Sequence, residues 1–261
     1  MENIFEKLDI RFPETENELR QIIEKQCEIF GDRYEFYDDF YVWAGNKSLL
    51  AAFCEGEAVG AVSFPEISYP TKEHTLMGGY IFAAWVSPEY RGQGIFSALM
   101  EKAEGIMKER GYSFAFVVPD NKGLFPVYEK LGYTVKAENG FPYSASREIL
   151  REYNPTDDIY MLWKVYSRVN GTVAKDMEFF NHVLRVMEDE GKCFAISKRG
   201  YIVYSPRFDN TVTVYDRMEN GKLVDCGKRS VRGLCKMFGE KAFEKTTFNM
   251  FFEPTYETFK K

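Results

Sequence analysis

The chain predicts a mixed α/β (α+β) fold, a twisted central mixed sheet flanked by helices, and three features carry that prediction. Residues 80–86 form a nearly continuous apolar run of strand length, the pattern of a strand buried on both faces. A glycine-punctuated basic loop follows, Ser87 to Gly94, and then Phe96, Leu99, Met100, Ala103, Ile106 and Met107 recur at helical spacing until Gly111. A second buried run, residues 112–118, closes the set.

The other elements follow in order. Residues 4–11 read as a first strand. Thr15-Glu16-Asn17-Glu18 is a capping box, with Thr15 as N-cap and Glu18 reaching back. Leu19, Ile22, Ile23, Gln26 and Phe30 continue that helix, and Gly31 sits where it stops. Residues 34–43 are aromatic and acidic, a short helix or a loop. Residues 49–54 and 58–64 flank Glu55-Gly56-Glu57 as a hairpin. A short helix over 124–131 is closed by Gly132, and residues 133–137 start another strand. Proline and polar residues over 153–158 mark a linker, which divides the chain into domains 1–153 and 154–261. The second domain shows helices over 159–169 and 175–190 and a hairpin around Lys198-Arg199-Gly200. Strands over 211–215, 223–226 and 246–252 and a helix over 231–238 complete it. This order echoes residues 15–118 without a residue-level repeat.

Composition narrows the function. No apolar run of membrane-spanning length occurs, and the N-terminus lacks the charged-then-apolar pattern of a secretion signal, so no membrane partner is expected. Cys27, Cys54, Cys193, Cys226 and Cys235 are scattered and never form a C-x-x-C pair, which fits reduced cytoplasmic thiols better than disulfides or zinc. His74 and His182 lie far apart, so no metal is expected. A net charge of −6 argues against a nucleic-acid partner and for small cationic ones. The aromatic-rich second half suits an oligomer interface.

The loop predicts an anion site. Helix N-termini present outward-pointing N–H groups and a positive dipole end. Gly92 and Gly94 let the backbone curl around an oxygen cluster. The ligand expected there is a pyrophosphate.

Residues 78–134 resemble the core of the GNAT superfamily of acyl-CoA-dependent N-acyltransferases. Its loop signature is Arg or Gln, two residues, Gly, one residue, Gly or Ala; Arg91, Gly94 and Phe96 stand at those places. Phe96 departs from the pattern: it crowds the loop but offers its backbone N–H as glycine would. The run Phe125-Pro126-Val127-Tyr128-Glu129-Lys130-Leu131-Gly132-Tyr133 resembles a second family element, which crosses the thiol end of the cofactor. The resemblance implies acetyl-CoA as co-substrate and no metal. It implies that the strand over 80–86 splays from that over 112–118 and pairs through Ala84 and Val86 with the pantetheine arm. Arg91, Gly92, Gln93, Gly94, Ile95, Phe96 and Ser97 would hold the diphosphate. The Val86 amide would stabilise the tetrahedral oxyanion, and Tyr128 would protonate the leaving thiolate, an ordinary phenol pKa of about 10 being close to that of a thiol. The family's acceptor cleft is bordered by the regions of Glu35, Asp38, Asp39 and Glu66, which are therefore candidates for binding the acceptor or taking its proton, and by the aromatics of 34–43.

With residues 162–173 and 200–204 added, the whole chain is similar to the enhanced-intracellular-survival (Eis-like) acetyltransferases. These carry a second, degenerate GNAT module without a cofactor loop, and residues 156–261 contain no Arg-x-x-Gly-x-Gly element. That family also has a sterol-carrier-like domain, for which 261 residues leave no room, so the catalytic role of its C-terminal carboxylate is not carried to Lys261. The implied function is acetyl transfer from acetyl-CoA to a primary amine of a small cationic acceptor such as a polyamine or aminoglycoside. A protein lysine or N-terminal acetyltransferase, and an acyl-CoA sensor without turnover, are the alternatives.

Overall fold

Arg11 and the capping box fix how the chain enters its first helix. The Glu18 carboxylate accepts the Arg11 guanidinium at 2.6 and 3.0 Å and the Thr15 N–H at 3.3 Å, while Thr15 Oγ1 accepts the Glu18 N–H at 3.2 Å. In this computed structural model, which describes residues 4–44, 46–140, 142–169, 171–224, 229–239 and 243–248, contacts group the chain into two compact units. The first comprises Met1–Glu66 and Gly78–Val117, the second Ile67–Met77 and Val118–Lys261.

In the first unit a 3-10 turn, Ile4–Glu6, precedes β1 (Leu8–Arg11), so the strand is shorter than residues 4–11 suggest. Helix α1 (Glu16–Phe30) ends at Gly31, whose φ of 77° lets its N–H reach Cys27 O at 2.9 Å. The aromatic-acidic segment is a helix, α2 (Tyr34–Ala44). β2 (Leu49–Cys54) and β3 (Glu57–Ser63) form the expected hairpin, and β1 lies antiparallel on β2. The chain leaves this unit at Glu66, where β4 (Glu66–Pro70) begins, and returns at Gly78 within β5 (Thr75–Val86), which pairs antiparallel with β3. After the glycine loop come α3 (Ile95–Glu109) and β6 (Phe114–Val117), parallel to β5. α3 buries Ile95, Leu99, Met100, Ala103 and Met107, the stripe its sequence spells apart from Phe96 and Ile106. A Cβ on Gly79 would stand 2.7 Å from Met107 Sδ and push that side chain aside, while one on Gly78 would stand 2.7 Å from the backbone oxygen of Phe114, where only glycine fits.

In the second unit α4 (Phe125–Lys130) leads to β7 (Val135–Gly140), β8 (Tyr143–Ser146) and a short β9 (Asn154–Pro155). Then follow α5 (Ile159–Tyr166), β10 (Thr172–Lys175), α6 (Met177–Asp189), β11 (Cys193–Ile196), β12 (Gly200–Pro206) and β13 (Thr211–Glu219). β14 (Lys222–Leu223), β15 (Arg229–Met237) and β16 (Lys245–Phe248) complete it. One set of strands runs β4-β10-β16-β7-β15, and a second sheet runs β14-β13-β12-β11-β9 with β8 on β13. Tyr153, Ala195, Ile202, Tyr204, Val212 and Val214 form a core against the second sheet.

Several expectations are corrected here. Residues 231–238 are not a helix: β15 covers them to Met237, paired with β7 through a bulge between Val231 and Gly233. Asn154 and Pro155 are not free linker, since they pair with Ile196 and Ala195 at a sheet edge, where proline is tolerated. Lys175 ends β10, and Asp176 rather than a helical residue caps α6. Cys226 and residues 249–252 lie outside the described residues; Cys27, Cys54, Cys193 and Cys235 are free thiols. Among the described residues no helix is long and apolar enough to cross a membrane.

Candidate active site

The site grows from the place where two parallel strands part. The β5–β6 ladder runs from Gly78↔Phe114 to Ile81↔Val117. β6 ends there, while β5 continues to Val86, leaving the edge over residues 82–86 beyond the last β6 partner. On its other side β5 pairs with β3 as Ser63↔Phe82, Ala61↔Trp85 and Gly60↔Val86. β5 therefore spends one more residue than β3 between Phe82 and Trp85, and Ala83 takes a left-handed φ of 48°. This bulge turns Phe82 and Trp85 to one face, although they stand three apart. On that face Phe82 meets Phe40, Phe36 and Tyr37 of α2 at ring distances of 5.1, 6.2 and 6.4 Å. Buried Gln26 of α1 donates to the Ala83 carbonyl at 3.4 Å and to Tyr41 Oη at 2.8 Å, and Tyr41 Oη lies 2.8 Å from Ser63 Oγ. Ala84, half-buried, follows the bulge.

Val86 ends the open edge. The Ser87 N–H donates to Val59 O at 2.9 Å, which makes the neighbouring Gly60↔Val86 pair a non-hydrogen-bonded one. The N–H and C=O of Val86 consequently face away from β3, along the edge that β6 has left. The carbonyl is taken by Arg91, whose Nε–H donates to it at 3.0 Å. The amide proton lies on the same side of the strand.

Beyond Val86 a 3-10 turn, Pro88–Tyr90, leads to Gly92 and Gly94, with φ of 75° and 87°. Arg91 to Gly94 and Ser97 are exposed, Phe96 is half-buried and Ile95 is buried. Gln93 donates to Glu89 O at 3.3 Å. Gly94 caps the 15-residue α3 without a side-chain hydrogen bond, and the first intrahelical bond runs from the Ala98 N–H to Gly94 O at 3.1 Å. The N–H groups before that bond have no intrahelical acceptor, and the positive end of the α3 dipole lies with them. A Cβ on Gly92 would meet nothing within 4 Å. These residues fit a diphosphate: an exposed, glycine-curved backbone at an uncapped helix start.

The remaining expected residues are spread more widely. Tyr128 stands on α4 in the second unit, buried, with its ring edge-on to Tyr133 at 5.7 Å. Burial pushes its phenol above the ordinary value of 10 assumed from the sequence, so it stays protonated at neutral pH. α2 turns Tyr37, Phe40 and Tyr41 inward and leaves Glu35, Asp38 and Asp39 exposed. Glu66 accepts the Tyr112 hydroxyl at 3.1 Å, and burial together with that carboxylate pushes Tyr112 up to about 12. Tyr112 precedes the first β5–β6 pair, so Glu66 sits at the opposite end of the ladder from Val86.

Sequence reasoning passed over Asp32, in the turn between α1 and α2. Its carboxylate accepts the hydroxyl of buried Tyr37 at 2.7 Å, and Tyr37 is one of the rings around Phe82. Burial raises the Asp32 pKa above the usual carboxylate range, opposed by the Tyr37 hydrogen bond. Asp32 also follows the C-terminal end of α1, where the helix dipole favours a cation. An acidic residue between a helix-ending glycine and an aromatic run was the available signal.

A parted strand pair, an open amide at its end and a glycine-curved helix start mark the end of β5 as the candidate site. Residues 16–133 match the model of the acetyltransferase (GNAT) family, and this stretch is a GNAT acetyltransferase domain. Solved structures extend the likeness over most of the chain at the level of fold. A GCN5-related N-acetyltransferase from Kribbella flavida is similar at a TM-score of 0.65 and 16% identity, over 88% of this chain and 72% of that one. Eis1 from Mycobacterium abscessus is similar at a TM-score of 0.68 and 15% identity, over 88% and 73%. A putative acetyltransferase from Pyrococcus horikoshii follows at 0.59 and 13%, over 94% of both. The Eis-like architecture expected from the sequence is thus supported by the Eis1 likeness.

Proposed function

We propose that this chain transfers an acetyl group directly from acetyl-CoA to a primary amine of a small cationic acceptor. The observation that carries the reading is the Val86 peptide: its N–H faces the open edge of β5 while Arg91 holds its carbonyl. The family match over residues 16–133 supports the acyl donor. In this reading the backbone from Arg91 to Ser97 holds the diphosphate, and Ala84 and Val86 pair with the pantetheine amides. The neutral amine attacks the thioester carbon, a C–N bond forms, and the Val86 amide takes the developing oxyanion. The C–S bond then breaks, Tyr128 gives its proton to the leaving thiolate, and the proton shed by the attacking nitrogen passes to solvent water, from which the phenolate is reprotonated. Negative charge for the acceptor comes from Asp32 and from Glu35, Asp38 and Asp39 on α2. Glu66, engaged with Tyr112, is the weakest candidate among the acids. Residues 1–153 carry the chemistry, and residues 154–261 serve as a degenerate GNAT-like module.

Thiol release from acetyl-CoA, measured against a panel of polyamines, aminoglycosides and lysine peptides, tests this. Amine-dependent release with a preference for small cations is expected. A silent panel with retained acetyl-CoA binding would replace catalysis by sensing, and absence of binding at millimolar acetyl-CoA would end the reading.

A further inference from the structure

The 3-10 turn Ile4–Glu6 sets an aromatic ring against the glycine loop. Phe5 Cζ and Cε2 stand 3.3 and 3.6 Å from the place that a Cβ on Gly94 would occupy. The ring is anchored by its chain neighbours. The Lys7 N–H donates to Ile4 O at 3.0 Å, Lys7 Nζ pairs with Glu55 at 3.0 Å, and Leu8 enters the sheet opposite Cys54. Phe5 is nevertheless 47% exposed. Exposure of a single phenylalanine needs no explanation; its position does. An apolar ring stands beside the exposed, glycine-curved backbone read above as a diphosphate site, on the side where a Cβ of the α3 N-cap residue would lie. In the proposed function the ligand there is an acyl-CoA, which carries an adenine beyond its diphosphate. A purine stacked on an aromatic side chain gains affinity through its π-face.

We propose that Phe5 is the stacking platform for the adenine ring of the acyl-CoA, a binding residue outside the loop itself. The proposal rests on the reading of residues 91–97 as the diphosphate site. Gly94 then serves twice: its left-handed φ turns the loop, and without a Cβ it leaves the Phe5 ring a few tenths of an ångström more room.

Calorimetric titration of the full chain with two probes tests it: acetyl-CoA, and S-acetyl-4′-phosphopantetheine, which has no adenosine. Phe5→Ala is expected to weaken acetyl-CoA binding about 5- to 20-fold and leave the truncated probe unchanged. Phe5→Trp is expected to restore affinity, with indole fluorescence quenched by acetyl-CoA and not by the truncated probe. Unchanged acetyl-CoA affinity in Phe5→Ala, or equal weakening of both probes, would overturn the role of Phe5 while leaving the diphosphate site in place. Failure of the unmodified chain to bind acetyl-CoA would overturn both.

Discussion

Arg91 reaches back over the turn to hold the carbonyl of Val86 at 3.0 Å. The bond ties the start of the glycine loop to the peptide that ends the open edge, so in the proposed function cofactor grip and amide orientation are coupled through one guanidinium. Arg91→Ala is expected to weaken acetyl-CoA about tenfold and to lower turnover further, since a hydrogen bond to a charged group contributes about 1.5–3 kcal/mol. Arg91→Lys keeps the charge but not the fixed guanidinium geometry. If lysine restores both affinity and turnover in calorimetry and steady-state assays, the coupling is absent.

Tyr128→Phe is expected to cut turnover by about one to three orders of magnitude with little change in acetyl-CoA affinity. Because burial holds the phenol above 10, the activity of the native chain should show no limb from this group at neutral pH. Equal turnover in the two proteins would remove Tyr128 from the reaction.

Asp32→Asn should raise KM for diamines about tenfold and leave acetyl-CoA binding alone. It should also alter stability with a definite sign. The folded pKa of Asp32 is raised by burial, so its contribution is full below the unfolded pKa and is lost as pH rises through the folded one. The asparagine variant should therefore gain in Tm over the native chain at about pH 8 relative to about pH 4. A Tm difference that does not change with pH would contradict the assignment.

Glu18 works in the opposite sense. Its hydrogen bonds with Arg11 lower its pKa from 4.5 to about 2. Its contribution is present above the unfolded value and disappears as pH falls toward 2. Glu18→Gln should cost about 1–2 kcal/mol in urea unfolding at neutral pH, from the cap and the ion pair, with the gap closing in acid.

Much of this molecule was legible because single patterns dominated it. The apolar run at 80–86, the glycine loop and the stripe of α3 each have one physical reading. Residues 231–238 had two: Val231, Leu234, Cys235 and Phe238 fit helical spacing, yet Gly233 at their centre disfavours a helix, and the bulge at Val231 and Gly233 hid the strand period. Spacing alone also misleads at Arg168, Gly171 and Val173, which repeat the interval of Arg91, Gly94 and Phe96; Gly171 feeds strand β10, so no helix start forms. β4, framed by Pro65 and Pro70, was not anticipated, because its burial depends on distant partners. Asp32 gains its character from Tyr37 and burial, which a sequence does not display.

The extra residue at Ala83 also makes the first unit sensitive to length. Deleting one amino acid there would rotate everything upstream in β5 by half a turn, sending Phe82 away from the α2 rings and carrying Gly78 off the face where a Cβ would meet the Phe114 backbone. Apart from Gly78, single substitutions along this strand can be absorbed, whereas a single-codon loss cannot, and homologues should vary in composition here while keeping the count.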